Sequence, residues 1–240
     1  LCIDYFRRNE IMSYKTEIYR SLENKMLRYI DLASVSVIPK AEDMVPISET
    51  PNLLVAPIDP NMAEFTGNKI YVRDSVARML GQASLLLAES DPDLRLQVVY
   101  GYRVLSIQTA LFKSFCKNLS SQYDGTELLE AAHRLVAAPT VAGHPTGGAI
   151  DLQIIKAGSP LMFGTKIWDF TLDSYTFTPF IDEGSRFNRQ LLRRCMLEAG
   201  FAPFDGEWWH FSYGDREWAR YYNKPAAMYE QIEFRAKANQ

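Results

Sequence analysis

The stretch that decides the fold is Gly143-His144-Pro145-Thr146-Gly147-Gly148-Ala149-Ile150-Asp151-Leu152-Gln153-Ile154-Ile155. Its second half, Ala149 to Ile155, reads as a strand bounded upstream by Gly147 and Gly148. A carboxylate stands inside that strand. Asp151 is flanked by Ala149, Ile150, Leu152 and Ile154, so it must be paired or metal-bound to offset its desolvation. His144 lies seven residues earlier. An odd spacing places two side chains on opposite faces of one regular strand, so the two converge only if His144 sits in the loop before it. Pro145 and the glycine pair supply that bend and allow a close backbone approach. Taken alone, the pair also fits an ordinary hydrogen-bonded turn.

Working outward, Leu94, Leu96, Val98 and Tyr100 alternate with Arg95, Gln97 and Val99, a half-buried strand running into Tyr102 and Arg103. Helical spacing appears at Val76, Met79, Leu80, Ala83 and Leu87, with Asp74 as N-cap, and again at Ile107, Leu111 and Phe115. A shorter helix is expected from Thr126 to about Ala137. A further helix starts at a Ser185 cap and stops at Gly200, with Phe187, Leu191, Cys195 and Ala199 on one side and Arg186, Arg189 and Arg193 on the other. Pro39, Pro46, Pro51, Pro57 and Pro60 mark an extended strap whose Leu53, Leu54, Val55 and Ile58 need burial. Strands and helices do not alternate as a regular βαβ series. The expectation is an α+β fold with a central, mostly antiparallel sheet flanked by helices. One domain is expected over residues 1–240, with an N-terminal helix and the proline-rich strap of residues 1–60 packed on it.

Composition narrows the function classes. The 240 residues are 47% hydrophobic and 23% charged, as in ordinary folded chains. Lys+Arg 26 against Asp+Glu 29 leaves a net charge of −3, so no basic field calls for nucleic acid. The densest apolar run, Leu85 to Ala88, is far short of the ~20 residues of a membrane span. Cys2, Cys116 and Cys195 are scattered, without a CxxC pair, which excludes a disulfide framework or a cysteine zinc site as the organising principle. A reducing compartment, hence the cytoplasm, is the simplest expectation. Residues 1–12 begin at Leu1 and hold Arg7, Arg8 and Glu10 without an apolar signal core; a trimmed leader would make the location periplasmic.

A second chemical motif is Glu207-Trp208-Trp209-His210, at the start of an aromatic-rich segment, Glu207 to Tyr213, that reads as a final strand. Residues three apart again face opposite ways on a strand, so a bulge or strand end must aim Glu207 and His210 together. An amphipathic strand with an aromatic pair in the core is the plainer alternative. His133, beside Arg134 in mid-helix, reads as a partly exposed structural histidine. The pieces gain force together. His144, Asp151 and His210 make a His₂Asp set of the kind that leaves zinc one open position, and Glu207 supplies a free carboxylate to activate water there. Neither an HExxH helix nor a GxSxG elbow is present.

With these residues the chain resembles the D-alanyl-D-alanine dipeptidases, relatives of the zinc D,D-carboxypeptidases. The family motif histidine–x₂–Gly–x–Ala–x–Asp is matched by His144, Gly147, Ala149 and Asp151, and Glu–Trp–Trp–His by Glu207 to His210. Glu198-Ala199-Gly200-Phe201, Gly101-Tyr102-Arg103 and Phe65-Thr66-Gly67 look like further family elements, so the resemblance runs from about Phe65 to Phe211. It departs from the pattern in having Tyr100 in place of Asp, Ala142 in place of Ser, and one extra residue before Asp169. The resemblance implies a zinc D,D-peptidase-like fold and one Zn²⁺ per chain held by His144, Asp151 and His210. It implies hydrolysis of the D-alanyl-D-alanine dipeptide with zinc-bound water as nucleophile, Glu207 as general base and Arg103 stabilising the tetrahedral intermediate. Asp169, in Gly164-Thr165-Lys166-Ile167-Trp168-Asp169, resembles the acidic residue that holds the substrate's free amine. A D,D-carboxypeptidase or peptidoglycan endopeptidase on the same zinc core is the alternative. A non-catalytic zinc-binding homologue is a third reading, against which the retained Glu207 speaks.

Overall fold

A computed structural model describes residues 2–236, with side chains from residue 13 onward. Along the chain the elements are α1 (Cys2–Glu23), α2 (Tyr29–Ala33), β1 (Met44–Pro46), β2 (Leu53–Val55), α3 (Ala63–Thr66), β3 (Tyr71–Arg73), α4 (Asp74–Ser90) and β4 (Leu94–Tyr100). There follow α5 (Leu105–Leu119), α6 (Gly125–His133), β5 (Ala149–Lys156), β6 (Ser159–Pro160), α7 (Glu183–Glu198), β7 (Ala202–Pro203), β8 (His210–Ser212) and α8 (Arg216–Tyr221). The architecture is α+β. The main sheet has the order β2-β4-β5-β8-β7, with β6 paired to β5. Only β2 and β4 run parallel among these pairs; β4–β5, β5–β6, β5–β8 and β7–β8 are antiparallel.

One face of this sheet is a continuous apolar core. Leu94, Leu96 and Val98 of β4 and Ile150, Leu152 and Ile154 of β5 pack there with Val76, Leu80, Ala83 and Leu87 of α4 and Leu192, Cys195 and Met196 of α7. The alternate residues of β5, including Asp151, therefore face the other side. In α1, Tyr19 packs with Tyr175 and Met26, which ties the N-terminal helix to the body. The proline-rich strap delivers Leu53 to the core and β2 to the sheet edge, while Ile58 stays exposed.

Several local expectations shift. Asp74 opens α4 instead of capping it, and Asp182 caps α7, its side chain accepting from Ser185 N at 2.9 Å. The buried face of α7 is also rotated: Phe187 is 66% exposed, whereas Arg189 is 0% exposed. The Arg189 guanidinium donates to the carbonyls of Phe163 (2.7 Å) and Tyr175 (2.8 Å), which is why a cation sits inside. The α6 helix ends at His133, short of Ala137, and the final strand is confined to His210–Ser212.

Candidate active site

Asp151 is positioned by register. It lies opposite Tyr100 of β4 on one side and opposite His210 of β8 on the other. The register slips by one residue between Val98 and Tyr100, so strict alternation fails there and Tyr100, not Val99, meets Asp151. His144 lies in a 3-10 turn, His144–Thr146, before β5, as the odd spacing requires. Gly147 ends that turn at φ +75°, and a Cβ on it would press on the Met44 sulfur at 2.5 Å. Glu207 and His210 are brought to one side by a turn rather than a strand, closed by His210 N–H donating to the Glu207 carbonyl at 3.1 Å. Trp208 and Trp209, between them, anchor that turn in the core, Trp208 stacked on Phe163 at 4.0 Å.

The three donors converge. His144 Nε2 is 3.5 Å and His210 Nδ1 is 3.1 Å from Asp151 Oδ1, and one ligand atom from each residue falls within 4.8 Å of the others. Two atoms that turn away are hydrogen-bonded: His144 Nδ1 to the Gly101 carbonyl at 2.7 Å, and Asp151 Oδ2, which accepts from Trp168 Nε1 at 2.9 Å. Two imidazoles and a carboxylate, oriented in this way, suit zinc better than the all-oxygen shells of magnesium or calcium. A metal would need all three donors deprotonated. Burial, with Arg103 and His210 near, depresses His144 to about 4 against the pull of Asp151, so its ring is neutral at pH 7. Asp151 lies far below the usual carboxylate range because His144 and His210 outweigh the cost of its burial. Burial pulls His210 down, but Asp151, Glu217 and Glu207 overcome it and lift it to about 10.

One cavity is lined by Glu207 and Arg103 as well as the three donors. Burial chiefly, with Asp151 adding, pushes Glu207 up to about 8 against His210 and Arg103. Arg103 follows β4 and is held by Nη1 donating to Gln108 Oε1 at 2.8 Å and by its plane over the Tyr100 ring at 4.6 Å.

The D-Ala-D-Ala dipeptidase family of M15 peptidases matches residues 64–230. The chain belongs to this peptidase family. A D-alanyl-D-alanine dipeptidase of Synechocystis sp. is 29% identical over 201 residues, which cover 72% of this chain and 81% of that protein. Among solved structures, the LD-carboxypeptidase LdcB is 19% identical with a TM-score of 0.44, covering 78% of this chain and 76% of LdcB. The Zn(II) complex of a VanY D,D-pentapeptidase mutant is 19% identical with a TM-score of 0.40, covering 72% of this chain and 94% of that one.

Set in this M15 chain, the remaining sequence candidates fall unevenly. Asp169 is half-buried; its neighbours Trp168 and Phe170 line the cavity and it does not. Trp168 adopts φ +61°, a left-handed conformation that costs a non-glycine residue about 1–2 kcal/mol, and its indole reaches Asp151 from there. Tyr100, at the position where the family pattern has Asp, packs its ring edge-on against the rings of His144 and Trp168 at 5.5 Å. Two titratable lining residues lie outside the motifs. His133 is buried at 2% exposure, not partly exposed, with Nδ1 accepting from Ala138 N–H at 3.1 Å. Glu217, on α8, brings a second carboxylate near His210, lifted to about 8 by burial and by Asp215 and Glu207 against His210. No spacing rule pointed to either; Glu217 follows the Asp215 cap of α8, whose side chain accepts from Trp218 N at 2.9 Å.

Proposed function

We propose that this M15 peptidase hydrolyses the D-alanyl-D-alanine dipeptide, using one zinc ion per chain held by His144, Asp151 and His210. The observation that carries the reading is the placement of Glu207 and Arg103 in the same cavity as the three converging donors. Zinc, when bound, supplies a Lewis acid that polarises the peptide carbonyl and acidifies water. Glu207 takes the proton of the attacking water on a carboxylate oxygen and returns it to the departing amine. A carboxyl held above its ordinary value by burial is suited to both transfers near neutral pH. Arg103 directs its guanidinium at the oxygen on which negative charge develops, fixed for that task by Gln108 and Tyr100. Trp168, Phe170 and Phe204 line the cavity with aromatic surface and limit the water reaching it.

Asp169 would pair with the ammonium of a free N-terminus and so restrict the enzyme to dipeptides. A D,D-carboxypeptidase reading is favoured by one observation: Asp169 does not line the cavity, whereas Trp168 and Phe170 do. Metal analysis coupled to hydrolysis of D-alanyl-D-alanine and its N-acetyl form tests both. The dipeptidase reading expects stoichiometric zinc, lost when His144 and His210 are replaced, and much faster cleavage of the free dipeptide. Equal cleavage of the acetylated dipeptide removes Asp169 from its role and leaves the carboxypeptidase. Zinc retained after loss of both histidines overturns the metal site.

A further inference from the structure

Each candidate ligand carries two heteroatoms, and the structure divides them alike. One atom of each turns inward, and the other turns to the surrounding protein. The outward atoms of His144 and Asp151 meet the Gly101 carbonyl and the Trp168 indole N–H at 2.7 and 2.9 Å. The outward atom of His210 is Nε2, and the group it faces is Glu217 Oε1, 4.0 Å away. Glu217 is only 8% exposed, and its Oε1 is buried with no hydrogen-bond partner. A buried carboxylate oxygen left in that state is costly and persists where something compensates for it. At 4.0 Å the contact is longer than a hydrogen bond, with Glu217 Oε1 as the protein group that Nε2 faces.

We infer that Glu217 is the positioning residue of His210, holding the Nε2 proton side of the ring so that Nδ1 is presented to the metal. The inference rests on the zinc reading of the triad. Glu217 thereby does for His210 what the Gly101 carbonyl does for His144: it fixes tautomer and ring orientation and raises the basicity of the ligating nitrogen.

The test is the zinc dissociation constant, measured by chelator competition at pH 7 on wild type, Glu217→Gln and Glu217→Leu. Leucine is expected to weaken zinc binding by about 10- to 100-fold, and glutamine, which keeps an acceptor oxygen in place, by less. The His210 Nε2–H resonance of zinc-loaded protein should be slow to exchange in wild type and in Glu217→Gln. Should the leucine variant fail to fold, the glutamine variant and the resonance carry the test. Affinities within threefold of wild type in both variants overturn the inference. Unchanged affinity with a raised KM for the free dipeptide but not its acetylated form would make Glu217 a substrate ammonium anchor and overturn it equally. A wild type that takes up no zinc is a separate result, which overturns the metal site itself.

Discussion

His133 gives a sharp prediction because its environment fixes both sign and size. The ring is buried between Tyr29 and Phe204, its Nδ1 committed to the Ala138 N–H. Burial, aided by Arg134 and opposed by Glu130, holds it at about 4 instead of 6.5. Between those two values the native ring stays neutral while the unfolded chain binds a proton. Stability therefore rises with pH across that window and is lost as pH falls from about 6.5 to about 4. At about 1.4 kcal/mol per pH unit, the whole interval amounts to ~3 kcal/mol from this one ring. His133→Asn keeps an acceptor near the Nδ1 position and removes the titration. It should cost about 1–2 kcal/mol at pH 7 through lost ring packing, yet show a pH dependence flatter by ~3 kcal/mol between pH 6.5 and 4. Urea unfolding of the metal-free proteins across that range measures the difference, since His144, His210 and Asp151 are common to both and cancel. Parallel stability curves, or an NMR titration placing the ring above pH 6, would refute the reasoning.

Other perturbations separate binding from chemistry. Glu207→Gln should keep its zinc by metal analysis while turnover falls about 10²- to 10⁴-fold, and wild-type-like hydrolysis would remove Glu207 as the base. Arg103→Ala should lower kcat by about 10²- to 10³-fold with a smaller rise in KM; an effect confined to KM would make it a ground-state anchor. Arg189→Met leaves the Phe163 and Tyr175 carbonyls without their guanidinium donor and should cost roughly 2–4 kcal/mol, read as a drop of about 5–15 °C in Tm. A loss below about 1 kcal/mol would show that the loop finds other donors.

The convergence of His144, Asp151 and His210 was legible because its spacing constraints are local. His144 and Asp151 converge only if a turn precedes the strand, and the chain supplies Pro145 and Gly147 where that turn forms. Glu207 and His210 needed a break in strand geometry, and the turn closed by the Glu207 carbonyl provides it. Tyr100 was misplaced for the converse reason. Alternation assigned it to the face of Leu96 and Val98, but a one-residue register slip, set by pairing with a distant strand, turns it toward Asp151. A bulge is a property of two strands, and one strand's pattern does not announce it.

The less legible residues share a physical origin: their partners come from elsewhere in the fold. Arg189 looked solvent-facing because charge normally marks the wet side of a helix. It is buried because the segment from Phe163 to Tyr175 crosses α7 with carbonyls aimed inward, and an inward carbonyl must find a donor. That segment is the one that carries Trp168 to Asp151 and Phe170 to the cavity wall. The same guanidinium reaches Thr165 Oγ1 at 3.3 Å, and that hydroxyl accepts from Trp208 Nε1 at 2.9 Å, beside Glu207. A helix residue with no motif around it thus links the loop on one side of the metal donors to the turn on the other. Its removal should therefore loosen Asp151 and Glu207 together, a coupling that the sequence around Arg189 gives no means of reading.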